Sequence, residues 1–390
     1  MTPRLLFIAS DAAVFVSHRL NLVEAAIAAS YQVAVASPGG GAVAAIIAAG
    51  ATHIPIHLLR GSKNPIHELR SLASIARALR RARPHFVHLI TPKPILYGGL
   101  VARLMGIPSI AAVTGLGHVF VNRSAAGRLM RRGVALGYRL AINGPATAVI
   151  FQNRDDLALF RCAGILRHDR VSLIAGSGTD LAAITPAPLP PGPTVTLLPA
   201  RLLRDKGVLE FVAAARLLRQ RGAGCRFRLL GDPDVTNPTS VTLGQLAAWV
   251  AEGVVDWQPH TSDIGAALAA CHIVALPSYR EGFPKTLIDA AAAGRAAVAS
   301  DVPGCRDAIV DGVTGLLCKP RDGADLAATL APLIADRALQ QRLGDAARRH
   351  AEAHFDVDDV TAAHLELYSS VLDRPRRTAL PANVSGRRSQ

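Results

Sequence analysis

The stretch IVALPSYREGFPKTLIDAAAAG, residues 273–294, decides the fold. Its first part, IVALPS (273–278), is typical of a buried strand, and SYREGF (278–283) is a short polar exit loop. Ala, Leu and Ile then dominate 284–293, which predicts a helix buried in the protein. A strand that leads through a short loop into a buried helix is one βα unit of a parallel sheet.

The same alternation fills both halves of the chain. In the first half, strands are predicted at 4–10, 32–37, 52–58, 86–91, 109–114, 148–153 and 171–176. In the second half they are predicted at 194–200, 225–231, 254–258, 273–278, 296–301 and 314–318, with helices near 207–221, 242–252, 263–270, 284–293 and 322–335. Continuous apolar strands separated by helices indicate parallel sheets covered on both faces.

The segment TPAPLPPGP (185–193) contains five prolines and therefore reads as an interdomain linker and hinge. The sequence thus predicts an α/β protein of two doubly wound, Rossmann-like domains that face each other across a cleft. The predicted domains are residues 1–185 and 186–355, followed by a disordered basic tail at 374–390. In such sheets, ligands bind outside the carboxyl ends of the strands.

The positive charge is concentrated in the first half. Residues 1–185 contain 20 Lys and Arg but 7 Asp and Glu, a net charge of +13, whereas residues 186–390 contain 23 and 22. Five arginines follow each other with no acidic residue between them in the sequence: Arg123, Arg128, Arg131, Arg132 and Arg139. This pattern predicts an anionic partner, such as a membrane surface. The alternative is a solvated surface in a chain that prefers Arg, since only five of its 43 basic residues are Lys.

The five cysteines have no CxxC or His-paired spacing, which argues against a disulfide framework or a zinc site and favours a reducing compartment. The uncharged stretch 25–51 is interrupted by Pro38 and three glycines, so no membrane span is predicted. Nucleic-acid binding is not predicted, because the basic residues lack an interleaved aromatic platform.

The start of the 284–293 helix is predicted to bind phosphate. Pro284 suits the first helical position, and the N–H groups of Lys285, Thr286 and Leu287 then lack intrahelical acceptors. Gly282 would let a ligand approach the main chain. Glu281 would accept hydroxyls of a sugar at one end of the diphosphate, and Asp289 would accept ribose hydroxyls at the other end.

A second stretch, ARLLRDKGV (200–208), follows another predicted strand of the same sheet. Arg201 and Lys206 would neutralise a diphosphate at this edge. Taken singly, Glu281 could be a simple helix-terminal charge, and Arg201 with Asp205 a surface pair. Their joint position at one sheet edge favours the site.

PSYREGFPKTLIDAAAAGRAAVASDVPGCRDAIVDGVTGLL (277–317), with ARLLRDKGVLEFVAAARLL (200–218), resembles the family 4 retaining glycosyltransferases of the GT-B fold. The most similar subgroup is the bacterial capsule, O-antigen and N-glycan transferases, which act on undecaprenyl-diphosphate-linked sugars. The resemblance implies that Glu281 holds the donor sugar, and that Arg201, Lys206 and the backbone of 282–287, including Phe283 and Pro284, hold sugar and diphosphate. It also implies that a final helix, 356–373, crosses back to the first domain. The family has a second glutamate where this chain has Asp289, whose shorter side chain reaches less far.

The first half carries weaker signals. By the same resemblance, His118 in VTGLGHVF (113–120) is expected at the reaction centre, and His18 and Arg19 in FVSHRLNL (15–22) are expected in the acceptor pocket. Thr91 and Lys93 in HLITPKP (88–94) would contact an acceptor phosphate. GSGTD (176–180) resembles a dinucleotide fingerprint only in part and leads toward the linker.

The predicted function is transfer of a sugar from a nucleotide diphosphate sugar, such as a UDP sugar, to a lipid-linked saccharide with retention of configuration. No metal or other cofactor is expected, because side-chain cations would carry the leaving charge. The expected location is the cytoplasm, at the anionic inner face of the cytoplasmic membrane, through the basic N-terminal domain. The alternatives are a nucleotide-sugar epimerase, a non-catalytic sugar-nucleotide-binding protein and, more weakly, a nicotinamide dehydrogenase.

Overall fold

The structure is a computed structural model with two α/β domains. It describes residues 2–59, 61, 62, 64–115, 125–234 and 237–373, with side chains from residue 130 onward in the helix that begins at Ala125. His118, Arg123 and the side chain of Arg128 therefore lie outside the described residues, as does the tail predicted at 374–390.

The first domain contains a seven-stranded sheet in the order β3-β2-β1-β4-β5-β6-β7, in which all the strands are parallel. The strands are β1 Arg4–Ile8, β2 Gln32–Ser37, β3 Thr52–Pro55, β4 Phe86–Ile90, β5 Ser109–Val113, β6 Thr147–Phe151 and β7 Val171–Leu173. The helices are α1 Ala12–Ala28, α2 Val43–Ala48, α3 Pro65–Ala82, α4 Gly99–Leu104, α5 Ala125–Ile142 and α6 Arg154–Cys162, and a π-helical turn, Pro94–Gly98, leads into α4.

The second domain contains a six-stranded parallel sheet in the order β10-β9-β8-β11-β12-β13. The strands are β8 Thr194–Pro199, β9 Cys225–Leu230, β10 Asp256–Gln258, β11 Ile273–Leu276, β12 Ala296–Ser300 and β13 Leu316–Cys318. The helices are α7 Val208–Gln220, α8 Leu243–Ala251, α9 Ile264–Ala269, α10 Lys285–Ala292, α11 Cys305–Ala308, α12 Gly323–Ala335, α13 Arg337–His354 and α14 Val357–Leu372. The predicted fold of two doubly wound parallel sheets is confirmed.

In each sheet, the strand order reverses beside the first strand of the domain, between β1 and β4 and between β8 and β11. A crevice opens at such a reversal, because the loops on its two sides turn to opposite faces of the sheet. Every residue of β5, β11 and β12 is buried, as expected for central strands covered by helices on both faces. In each domain, loops that follow the strands at the reversal line the cleft between the domains.

The final helix packs on the first domain. In α14, the buried positions Val360, His364, Tyr368 and Val371 form one helical stripe. The ring of Tyr368 lies 5.2 Å from that of Phe86, and its hydroxyl lies 2.7 Å from His88 Nδ1. The C-terminal end of the chain thus completes the core of the N-terminal domain.

The chain crosses from the first domain to the second at residues that precede the proline-rich segment 185–193. Ile174 belongs to the core of the first domain and Ile184 to that of the second. Within 185–193, the Pro190 carbonyl lies 3.0 Å from His272 Nε2 and accepts a 2.6 Å hydrogen bond from Arg337, so this segment lies against the second domain. The prediction that 185–193 forms the hinge is therefore corrected, because its carbonyls bind to one domain. The crossing lies between Ile174 and Ile184.

Candidate active site

A cleft of about 1090 Å³ lies between the domains. On the N-terminal side it is lined by loops after β1 and β2 and by Gly115, and on the C-terminal side by the loops after β8, β9 and β11. Arg201, Lys206, Glu281 and Gly282 are among the lining residues. The two motifs singled out in the C-terminal half therefore meet at one cavity.

Lys206 and Glu281 form the centre of the C-terminal wall. The Lys206 Nζ atom lies 2.6 Å from Glu281 Oε1, and the Glu281 side chain is 11% exposed. The loop that carries Lys206 can pack against the end of β11 because Gly207 follows it with φ of 73°, where a β-carbon would overlap the Pro277 carbonyl. An ammonium and a carboxylate paired in this way can bind a phosphate oxygen and a sugar hydroxyl side by side.

Arg201 lines the same wall, and its ion-pair partner is not Asp205, the acid considered in the sequence analysis. Its Nη1 atom lies 3.2 Å from Asp234 Oδ2 after β9, rather than on Asp205. The Arg201 side chain is 49% exposed, so the guanidinium stays accessible from the cleft.

Helix α10 begins one residue later than predicted, because Pro284 is its N-cap with φ of −77° and ψ of 115°. The Leu287 amide donates a 3.0 Å hydrogen bond to the Pro284 carbonyl, so the prediction that it is open to phosphate is wrong. Leu287 is itself buried in an apolar cluster. Among the described residues, no hydrogen bond is formed by the amides of Lys285 and Thr286, which remain the candidate phosphate donors of this helix end.

Gly282 lines the cleft, but the space left by its missing β-carbon is filled by the other domain. A β-carbon there would overlap the Thr114 carbonyl oxygen, and Asn153 Nδ2 donates a 2.7 Å hydrogen bond to the Gly282 carbonyl. Phe283 packs edge-to-face on Phe355 with ring centroids 5.5 Å apart. The prediction that a ligand approaches the main chain at Gly282 is therefore corrected in one respect: the missing side chain makes room for Thr114 of the N-terminal domain.

Asp289 is buried and does not line the cleft. Its Oδ1 atom accepts hydrogen bonds from Thr179 Oγ1 at 2.7 Å and from Lys285 Nζ at 2.8 Å. The prediction that this acid is an open ribose acceptor is therefore corrected for Oδ1, because two protein donors already occupy that oxygen.

On the N-terminal side, His18 and Arg19 lie together in α1. Desolvation of the His18 ring, followed by the nearby cations Arg19, Lys285 and Lys206, lowers its pKa to about 4, so the ring is neutral near pH 7. Lys285 and Lys206 belong to the opposite domain and lie near enough to lower the His18 pKa, although His18 is not among the residues that line the cleft. Arg19 is buried, donates to the Gly176 carbonyl at 3.1 Å, and has its pKa lowered by burial to about 10.

Thr91 and Lys93 differ in their surroundings. Thr91 has φ of 75°, an unfavourable conformation for a β-branched residue, and its hydroxyl lies 2.9 Å from that of Ser10 at the cleft. The Lys93 ammonium donates to both Glu68 oxygens, at 2.8 and 2.9 Å, and to the carbonyls of Leu59 and Ser62. The prediction that Lys93 meets an acceptor phosphate is therefore corrected, because its donors are already used to hold the 59–68 segment.

Sequence reasoning missed the contacts between the domains. Arg280 forms a salt bridge with Asp156, which is fully buried and whose pKa is raised by burial against the effect of Arg280. Arg306 Nη1 lies 3.0 Å from Asp155 Oδ2. These partners are 124 and 151 residues apart in sequence, so no local pattern joins them.

In the described part of the chain, no helix is both long enough and apolar enough to cross a membrane. No group of three or more His, Cys, Asp and Glu side chains there could hold a metal ion.

Comparison with known proteins identifies both halves. Residues 4–153 match the "glycosyl transferase 4-like" family model, and residues 183–350 match "glycosyl transferases group 1". A Campylobacter jejuni relative, N,N'-diacetylbacillosaminyl-diphospho-undecaprenol alpha-1,3-N-acetylgalactosaminyltransferase, is 29% identical over 80% of this chain and 84% of its own length.

Solved structures share the whole fold. Sucrose-phosphate synthase from Thermosynechococcus elongatus matches with a TM-score of 0.77 and 19% identity, over 95% of this chain and 99% of its own. Anabaena HepE in complex with UDP matches with a TM-score of 0.75 and 19% identity, over 94% of this chain and 100% of its own. At these identities, the likeness shows the two-domain architecture.

Proposed function

The chain belongs to the glycosyltransferases, as a glycosyl transferase 4-like domain followed by a group 1 domain, and we propose that it moves a hexose from a UDP sugar to a saccharide linked to a polyprenyl diphosphate. It is a hexosyltransferase of the GT-B fold. The relatives are named as transferases and synthases, so the epimerase and binding-protein alternatives gain no support from them.

The observation that carries the donor proposal is the Lys206–Glu281 pair in the cleft wall. Lys206 and Arg201 in the cleft wall provide positive charge for a diphosphate. The amides of Lys285 and Thr286 at the start of α10 have no acceptor among the described residues and would add to it, although neither residue lines the cleft. Glu281 provides an acceptor for hydroxyls of the attached sugar. Charge that develops on the leaving diphosphate would meet these fixed groups without solvent reorganisation, which is the main electrostatic source of catalysis. Side-chain cations thereby supply the neutralisation that a metal supplies elsewhere, and transfer is proposed to be metal-independent.

The acceptor proposal rests on the opposite wall and on the relative that acts on a diphospho-undecaprenol-linked saccharide. The His18 ring is neutral and its Nδ1 lies 3.1 Å from the Val14 carbonyl oxygen, so Nε2 could hydrogen-bond an incoming hydroxyl without adding charge. Asp11 lines the N-terminal wall, but its carboxylate accepts a hydrogen bond from the Val14 amide as the N-cap of α1, so it is not proposed as the base. The leaving phosphate would therefore accept the hydroxyl proton on the same face, which retains the anomeric configuration.

The test of this function is release of UDP from a panel of UDP sugars by the purified chain, with and without membranes that contain lipid-linked saccharide. We expect release to require both the sugar donor and the acceptor, and to persist in EDTA. Release at the same rate without acceptor would contradict a transferase, and complete loss in EDTA would contradict the proposed neutralisation by side chains.

We also propose that the N-terminal domain docks on the anionic inner face of the membrane. Arg132, Leu136 and Leu140 follow each other at helical spacing in α5 and are exposed, at 56% for Leu136 and 46% for Leu140. Arg103 at the end of α4 donates to the Leu140 carbonyl at 2.7 Å, which brings Leu104, 87% exposed, to the same region. Exposed leucines among arginines are typical of a surface that enters a lipid headgroup layer.

Replacing Arg132 and Arg139 together by Gln should weaken binding to phosphatidylglycerol-containing vesicles about 30-fold, since each cation near such a surface contributes about 1 kcal/mol. The measurement is vesicle co-sedimentation at fixed salt. Arg342 and Arg349, exposed on α13 of the other domain, give a matched control in which the same charge is removed. Equal loss in both double variants would contradict a specific face, and UDP affinity should change in neither.

A further inference from the structure

The short segment Gly176–Asp180 joins elements of both domains. The Thr179 amide donates to the Phe355 carbonyl at 2.8 Å, and the Val357 amide donates to the Thr179 carbonyl at 3.1 Å. The two passages of the chain between the domains are therefore hydrogen-bonded side by side. Gly178 is needed for this pairing, because it has φ of 71° and its β-carbon would overlap the Val357 backbone.

The same segment contacts the elements that face the cleft. Arg19, next to His18 in α1, donates to the Gly176 carbonyl. Phe283, from the loop before α10, lies against Gly176, where a β-carbon would lie 2.9 Å from its ring. The segment Gly176–Asp180 therefore contacts both α1, on the proposed acceptor side, and the loop before α10, on the proposed donor side.

Thr179 adds a hydrogen bond that reaches into the donor helix. Its side chain is fully buried, and its hydroxyl donates to Asp289 Oδ1 at 2.7 Å. Lys285, at the mouth of α10, donates to the same oxygen at 2.8 Å. Asp289 Oδ2 accepts no hydrogen bond from the described residues. One carboxylate oxygen therefore links the crossing to the helix end where the diphosphate is proposed to bind.

We propose that Thr179 is a positioning residue for the donor, whose hydroxyl holds Asp289 and, through it, Lys285 in the arrangement that accepts the nucleotide. This proposal deepens the proposed function and rests on it. Without the hydroxyl, the buried Asp289 oxygen keeps only Lys285 as a donor. Asp289 then loses its fixed rotamer, and the Lys285 ammonium bound to it loses its fixed position at the start of α10.

The coupling acts in both directions, as linkage requires. A donor that binds at the mouth of α10 stabilises the Asp289 orientation, and with it the contact to the crossing segment. The crossing segment in turn holds Arg19 and Phe283. Donor affinity is thus expected to depend on a residue that touches no ligand.

The test measures UDP affinity by titration calorimetry for Thr179→Val, which has the same shape but no hydroxyl. We expect Kd to rise about tenfold, equivalent to about 1.4 kcal/mol. Thr179→Ser keeps the hydroxyl and should bind within about twofold of the wild type. Thr196→Val is a matched control, because Thr196 is buried in β8 and its hydroxyl has no partner among the described residues.

A double-mutant cycle separates positioning from a general structural effect. If Thr179 acts through Asp289, Thr179→Val should change Kd little in the Asp289→Ala background. Thermal unfolding checks each variant. Should Thr179→Val fail to fold, Thr179→Ser and Thr179→Ala form a second pair that isolates the hydroxyl.

Unchanged UDP affinity in Thr179→Val, equal weakening in Thr179→Ser, or additive effects with Asp289→Ala would each overturn the positioning role. These outcomes leave the proposed function intact, because the wild type still binds UDP. A wild-type chain that binds none of UDP, GDP and ADP would overturn both proposals.

Discussion

Glu281→Gln should lower kcat/KM for sugar transfer by about 10²–10³-fold, the range for loss of one aligned group in a preorganised site. The carboxylate is only 11% exposed, and its 2.6 Å partner Lys206 belongs to the proposed diphosphate site. An amide of the same shape cannot hold sugar hydroxyls as strongly and leaves the ammonium without its counter-charge. The measurement is the initial rate of acceptor-dependent UDP release at low donor concentration.

The affinity for UDP itself distinguishes the two roles of the pair. UDP carries no hexose, so Glu281→Gln should leave its Kd unchanged or lower it, since Lys206 is freed for the phosphates. Glu252→Gln is the matched control, because Glu252 pairs with Arg216 at 2.6 Å on the surface of the same domain. A Glu281→Gln enzyme with normal transfer, or one that loses UDP binding with transfer, would contradict the sugar-holding role.

Gly282→Ala should also lower transfer at least about a hundredfold, because the added methyl overlaps the Thr114 carbonyl oxygen and pushes the two walls of the cleft apart. Misplacement of about 1 Å in a catalytic site is enough for a loss of this size. Each domain has its own core and should still fold. Transfer rates, with small-angle scattering to follow domain separation, would test this expectation.

The control for this variant is Gly244→Ala in the first turn of α8, where the nearest atom to a new β-carbon is Thr242 Oγ1 at 4.0 Å. It should retain transfer. Normal transfer by Gly282→Ala would mean that the close approach of Thr114 is not part of the catalytic arrangement.

Much of the fold could be predicted from local pattern. Apolar runs gave the strands of both sheets to within a few residues, and the helices near 207–221 and 322–335 agree closely with α7 and α12. Lys206 and Glu281 are 75 residues apart, yet their meeting was predictable, because both follow strands of one parallel sheet at its carboxyl edge.

The errors share a physical cause, which is a partner from a distant part of the chain. Lys93 was predicted to bind an acceptor phosphate, but it pairs with Glu68 of α3. Asp289 was predicted to bind ribose, but it accepts a hydrogen bond from Thr179 of the segment that crosses between the domains. Gly282 was correctly identified as a position of close approach, but the approaching group is Thr114 of the other domain. Local sequence indicates that a side chain can bind something, and the tertiary arrangement decides what it binds.

The return of α14 to the N-terminal domain has a consequence for synthesis. Tyr368 fills the space between Phe7, Phe86 and Tyr31, so the nascent N-terminal half leaves the ribosome with that face uncovered. At about 5–20 residues per second, the roughly 190 residues that follow the crossing take about 10–40 s to appear. We expect this interval to be the period in which the nascent polypeptide most needs a chaperone.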